Sequence, residues 1–114
     1  MNNNEFPYPE MIKNLPEIEI PLEGIRGWLL QGNDKQVVFF EIDTSEDLPP
    51  HSHCHQWGIM VDGEMELTID GKAKIYRKGD HYFIPEGTVH SAKFLTKVYV
   101  IDVFDDPGRY KIKE

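Results

Sequence analysis

Three of the chain's five histidines lie close together, at His51, His53 and His55. In an extended strand successive side chains point to opposite faces, so these three imidazoles could project to the same side. Two imidazoles at that spacing can bind one metal ion from a single strand, because neutral imidazole nitrogen is a common ligand of divalent metals. The spacing therefore predicts a metal site whose remaining ligands come from elsewhere in the chain.

The elements that would position these histidines have the pattern of short β-strands. In 64–70, Met65, Leu67 and Ile69 alternate with polar residues, as in a strand buried on one face. Asp70-Gly71 favours a two-residue hairpin turn in which both residues have positive φ, so 72–77 should return antiparallel. Further strands are predicted at 25–31, 35–43, 56–61, 81–84, 90–95 and 97–104. This pattern predicts an all-β sandwich or barrel.

The length of 114 residues allows one compact domain. Residues 1–24 contain four prolines and are interpreted as an irregular arm along the body, with a short strand at 18–20. Residues 25–114 are interpreted as a single barrel domain. The exposed strand edges expected of a small barrel, together with the arm, predict a homodimer.

Charge and composition narrow the function classes. Twelve basic and twenty acidic residues give a net charge of −8, which argues against nucleic acid and anionic membranes as partners. A single cysteine, Cys54, excludes a disulfide-stapled secreted domain. The beginning of the chain has no signal-peptide pattern, and no apolar run reaches the roughly 20 residues that span a bilayer. We therefore expect a cytoplasmic location.

Residues 79–94 carry a second pattern, with Gly79, Pro85, Gly87 and His90 at fixed spacing. It resembles the second motif of the cupin superfamily at every position except the last, where Phe94 replaces an asparagine. The first cupin motif is similar to the segment from Ser45 to Gly63, which contains His51-Ser-His53. The resemblance implies a cupin-type jelly-roll barrel, that is, a double-stranded β-helix, with one divalent metal ion inside.

The resemblance also implies a ligand set of His51, His53, Gln56 and His90. Gln56 stands where the motif has a glutamate, and its spacing from His53 is shortened to two residues. That spacing breaks strand parity, so a bulge would be needed to turn Gln56 inward, and without one His55 would be the third ligand. A neutral amide leaves the full charge of the metal on the site, which favours an anionic small-molecule ligand. The metal could be Fe, Mn, Ni or Zn.

An ionisable group interrupts the last apolar strand at Asp102, on the same face as Val98, Val100 and Phe104. Such a carboxylate is either buried with a partner or faces a wet pocket. Together with Arg109, this tail is similar to that of small cupins that linearise unsaturated uronates in pectin and alginate breakdown. That resemblance implies catalytic roles for Asp102 and Arg109. The alternative is a structural aspartate and a salt-bridging arginine.

Two classes of function remain from the sequence. The first is a metalloenzyme of carbohydrate metabolism, acting on a small carbohydrate acid or related oxyanion by Lewis-acid chemistry, with an iron-dependent dioxygenase as a variant. The second is a non-catalytic ligand-binding or sensor barrel, in which the metal anchors a ligand or stabilises the fold.

Overall fold

A computed structural model describes residues 6–114 of the chain, so the first five residues of the predicted arm lie outside it. Nine strands follow one short helix, and most match the segments predicted from the alternating pattern. In chain order the elements are α1 (Glu10–Lys13), β1 (Ile25–Gln31), β2 (Gln36–Ile42), β3 (Leu48–His51), β4 (Gln56–Asp62), β5 (Met65–Ile69), β6 (Lys72–Tyr76), β7 (His81–Ile84), β8 (His90–Phe94) and β9 (Val98–Phe104).

The strands form two antiparallel sheets that face each other as a jelly roll. One sheet has the order β1-β2-β9-β4-β7 and the other the order β3-β8-β5-β6. Side chains of both inner faces meet in one apolar cluster, which includes Val38, Met60, Leu67, Ile84 and Val100. The all-β jelly-roll architecture predicted from the sequence is therefore confirmed.

The β5–β6 hairpin has the predicted two-residue turn. Asp70 and Gly71 have φ values of 51° and 78°, and Ile69 pairs with Lys72 across the turn. Both residues lie in the left-handed region that this tight turn requires, which explains the aspartate and glycine there. The register fixed by the turn places Met65 and Leu67 on the buried face.

The described part of the proline-rich segment, 6–24, contacts both faces of the larger sheet. Residues 6–15 pack against the outer face, whereas Ile18 is buried in the inner cluster and Ile20 and Leu22 line the space between the sheets. Tyr8 is buried among aromatic rings that include Trp28 and Tyr99, and its hydroxyl donates a hydrogen bond to the carbonyl oxygen of Phe40 at 2.7 Å. The strand expected at 18–20 is absent from the described residues, where only an isolated bridge joins Ile18 to Ile112. In the part of the chain that is described, no helix is long and apolar enough to cross a bilayer.

The structure corrects the prediction that one strand carries all three clustered histidines. His51 ends β3 in the smaller sheet, residues 52–55 form an irregular connection, and Gln56 begins β4 in the larger sheet. The prediction that a β-bulge turns Gln56 inward is wrong. The chain changes sheet between His51 and Gln56, and His53 lies in the connection, so strand parity does not carry over from His53 to Gln56.

Candidate metal centre

Three imidazoles converge at one end of the space between the sheets. His51 and His90 are directly paired across β3 and β8, and His53 reaches the same point from the connection before β4. One ring nitrogen from each residue lies within 4.8 Å of those of the other two. The Nε2 atoms of His53 and His90 are 3.2 Å apart. This spacing is small enough for one ion to contact all three rings.

The backbone fixes the tautomer of each of the three rings. The Nδ1 atoms of His51, His53 and His90 lie 2.8, 3.0 and 2.9 Å from carbonyl oxygens of nearby residues. A carbonyl oxygen only accepts, so each Nδ1 carries the proton and each Nε2 presents a lone pair. Metal-binding histidines are oriented in the same way by their second nitrogen.

Burial keeps the imidazoles of His53 and His90 neutral. It lowers the pKa of His53 to about 4 and is the main cause of the lowered pKa of His90, with the positive charge of Arg109 adding to both shifts. Near pH 7 the Nε2 atoms of His53 and His90 therefore face each other as unprotonated lone pairs. A cation between them relieves that repulsion, and it binds without displacing a proton.

Gln56 supplies a fourth polar group beside the histidines. Its side chain is 9% exposed, and its Oε1 atom is buried without a hydrogen-bond partner among residues 6–114. A buried carbonyl oxygen without a partner is costly, and coordination to a cation would satisfy it. The unpartnered oxygen and the three Nε2 lone pairs make a donor set that fits a divalent metal such as Fe, Mn, Ni or Zn.

Asp102 lies deeper in the same space and is fully buried. The Tyr82 hydroxyl donates a hydrogen bond of 2.6 Å to its Oδ1 atom. Burial raises the pKa of Asp102 to about 6, against hydrogen bonds from Tyr82 and Gln56 that lower it. The carboxyl group is thus both partnered and placed in a pocket, the two possibilities left open by the sequence, and near neutral pH it can either accept or release a proton.

The contact between Asp102 and Tyr82 crosses a strand. Asp102 in β9 and Tyr82 in β7 are both paired with Gly58 of β4, which lies between them. A Cβ atom at Gly58 would clash with the Asp102 carboxylate and with the Tyr82 ring. The sequence analysis gave neither Tyr82 nor Gly58 a role in the site. The signal that could have identified them is that both residues lie on the inward face of neighbouring strands.

Arg109 closes the site from the tail after β9. Its guanidinium carbon lies 4.4 Å from the Tyr110 ring centroid and 5.6 Å from that of Phe104. Its Nε atom is buried and has no hydrogen-bond partner among the described residues. The guanidinium makes no salt bridge within residues 6–114. A donor held in this way can bind a carboxylate.

All of these groups line one cavity of about 240 Å³. This volume is below the roughly 300–1,000 Å³ typical of pockets for drug-sized ligands, so the cavity suits a smaller molecule. Apolar side chains form most of the wall. The polar groups are concentrated at one side: His51, His53, Gln56, Tyr82, His90, Asp102, Arg109 and Tyr110.

The remaining histidines lie outside the cavity. His55, the alternative third ligand, is exposed, stacks on Phe83 and accepts a hydrogen bond of 2.9 Å from the backbone N–H of Glu86. His81 is exposed and stacks on Trp57. Cys54 is partly buried and packs against the edge of the core. Neither His55 nor His81 lies near the imidazoles of His51, His53 and His90.

Comparison with known proteins agrees with this arrangement. The Cupin_2 family, described as the cupin domain, matches residues 38–104. An RmlC-like cupin from Shewanella frigidimarina NCIMB 400 is 30% identical, with a TM-score of 0.74 and 93% of each chain covered. The structure of KdgF from Halomonas sp. is 28% identical, with a TM-score of 0.71, and the match covers 81% of this chain and 86% of that one.

A curated relative matches a shorter stretch. Quercetin 2,3-dioxygenase from Bacillus subtilis (strain 168) is 34% identical over 58 residues, which are 49% of this chain and 17% of that enzyme. The likeness therefore covers about half of this chain and a small part of the dioxygenase. The matched domain, the two jelly-roll sheets and the clustered histidines lead to one conclusion: this chain belongs to the cupin family.

Proposed function

We propose that this cupin is a metal-dependent enzyme that converts a small unsaturated uronate to its linear keto form. The observation that carries the proposal is the position of Asp102, a buried carboxyl group in the same cavity as the three histidines and Arg109. The resemblance of the Asp102–Arg109 tail to uronate-linearising cupins supports it. So does the match to KdgF over most of both chains.

In this proposal His51, His53, His90 and Gln56 hold the metal. A divalent ion bound there supplies Lewis acidity toward a carbonyl or hydroxyl oxygen. Arg109 binds the substrate carboxylate, for which its buried Nε offers an unused donor. The apolar wall excludes water and lets the few polar groups fix the orientation of the sugar acid.

Asp102 moves the proton. Linearisation is an isomerisation: the anomeric hydroxyl loses a proton, the ring C–O bond breaks, and a proton is added to the alkene carbon. A single group that first accepts a proton as a base and then donates one as an acid can carry out both proton transfers. A carboxyl group whose pKa is raised to about 6 is suited to this near neutral pH.

The test uses metal-loaded protein and the unsaturated monouronates released by pectin and alginate lyases, followed by loss of their alkene absorbance. Wild-type protein should accelerate the loss, and Asp102→Asn should abolish that acceleration even at a metal concentration that saturates the site of the variant. Asp105→Asn is the matched control, because Asp105 is exposed and pairs with Lys35 at the surface. Unchanged turnover in Asp102→Asn would remove Asp102 from the mechanism.

A dioxygenase is the second candidate, favoured by the 58-residue likeness to quercetin 2,3-dioxygenase. It predicts oxygen consumption with a flavonol by iron-loaded protein and no uronate turnover. A non-catalytic binding barrel instead predicts thermal stabilisation by a uronate without product. We also propose an anionic ligand, supported by the Arg109 side chain in the cavity, and a homodimer, supported by an exposed apolar row on the outer sheet face.

A further inference from the structure

We propose that Tyr82, Asp102 and Gln56 form a buried polar chain that fixes the Gln56 amide, with Nε2 toward Asp102 and Oε1 toward the three histidines. Asp102 and Tyr82 are then positioning residues for the metal ligand, in addition to the proton transfer proposed for Asp102. This inference rests on the metal site of the proposed function. It also gives a reason for glutamine where the cupin motif has glutamate.

Strand register brings the three side chains together. Asp102 and Tyr82 are both paired with Gly58, whereas Gln56 lies two residues before Gly58 on the same face of β4. Gln56 is therefore the diagonal neighbour of both, at a separation that long side chains can bridge. Because Gly58 has no side chain, the Asp102 carboxylate and the Tyr82 hydroxyl can meet over it.

The hydrogen-bonding capacity of the groups sets the direction of the chain. Tyr82 donates its hydroxyl proton to Oδ1 of Asp102 at 2.6 Å. An ionised carboxylate only accepts, so a hydrogen bond between Gln56 and Asp102 must be donated by the amide Nε2. The amide oxygen then points away from the carboxylate, and this is the buried Oε1 that lacks a partner among residues 6–114.

The same arrangement disfavours glutamate at residue 56. A glutamate there would place a second carboxylate beside the fully buried Asp102, and two adjacent carboxylates cannot both ionise without a large cost. An amide avoids this conflict because its two ends differ: the N–H group serves Asp102 and the oxygen serves the cation. In the cupin motif the glutamate ligand itself carries a negative charge. In this chain the charge lies on Asp102, the proposed hydrogen-bond partner of Gln56.

A reciprocal exchange tests the inference. Gln56→Glu and Asp102→Asn are made singly and together, and the double variant restores a carboxylate–amide pair with the roles exchanged. Chelator-treated proteins are titrated with Zn²⁺ alone, and the Tm of each is measured without metal. Removing an outer partner of a metal ligand costs about 10–100-fold in affinity, so we expect Asp102→Asn to lose about that much. The double variant should recover most of the loss.

Without metal, Gln56→Glu should lower Tm in the wild-type background and lose that effect in the Asp102→Asn background. Gln36→Glu is the matched control, because Gln36 is also buried but bonds to Gln31 and to the backbone at 107 and 110. Its effect on Tm should be the same in both backgrounds. Equal Tm losses for Gln56→Glu in both backgrounds would overturn the polar chain. Absence of Zn²⁺ binding by the wild type would overturn the metal site while leaving the Tm comparison valid.

Discussion

Replacing Tyr82 by phenylalanine removes one atom from the interior, the hydroxyl oxygen that donates to Asp102 at 2.6 Å. A hydrogen bond to a charged group contributes about 1.5–3 kcal/mol to stability, and a bond between neutral groups about 0.5–1.5 kcal/mol. The loss caused by Tyr82→Phe should therefore depend on whether Asp102 is ionised. Its size should change with pH around the pKa of that carboxyl group.

The direction of the change follows from the raised pKa. Burial moves the pKa of Asp102 from 3.8 to about 6. A shift of about 2 units corresponds to about 3 kcal/mol. The contribution of Asp102 to stability is thus fully present below pH 3.8 and is lost as pH rises through about 6. Without the Tyr82 hydroxyl, the pKa rises further and more stability is lost at high pH. We expect Tyr82→Phe to cost about 1 kcal/mol at pH 5 and about 2–3 kcal/mol at pH 8.

The assay is urea denaturation of chelator-treated protein at both pH values, followed by tryptophan fluorescence. Tyr76→Phe is the matched control, because Tyr76 is also buried, packs against Tyr82 at 5.5 Å between ring centroids, and makes no side-chain hydrogen bond within 6–114. Its cost should be small and independent of pH. Equal costs of Tyr82→Phe at pH 5 and pH 8 would refute the reasoning, as would a cost no larger than that of the control.

Three further predictions concern the metal site, an ion pair and the outer sheet face. His90→Ala should abolish stoichiometric metal binding in elemental analysis, whereas exposed His81→Ala should retain it; metal in both variants would contradict the site. Glu17→Gln breaks ion pairs with Arg26 and Lys113 that lower the pKa of Glu17 to about 2. The variant should therefore lose about 1 kcal/mol of unfolding free energy above pH 4.5, and its difference from the wild type should vanish as pH falls through about 2. A difference that stays constant with pH in acid denaturation would contradict this prediction. Trp57→Lys should dissociate the predicted homodimer, as measured by sedimentation velocity. The reason is that Trp57 belongs to a row of apolar side chains across the outer sheet face: Leu30, Val37, Val103, Trp57 and Phe83. A monomeric wild type would refute the dimer.

Local pattern was sufficient for most of the fold. Alternation of apolar and polar residues located eight of the nine strands, and Asp70-Gly71 located a tight turn because only certain residues accept positive φ at low cost. The alternating pattern did not predict β3. It is four residues long, includes two prolines and has no buried residue, so it carries no alternating apolar signal.

The sequence by itself determined which kinds of donor are present and that a β-barrel would hold them, because residue type and period-two alternation are local properties of the chain. The tertiary structure decided which donors meet. The change of sheet between His51 and Gln56 carries His55 outward, and the absence of a side chain at Gly58 lets Tyr82 reach Asp102 across a strand. Both depend on the pairing of strands that are distant along the chain, and no local pattern encodes that register.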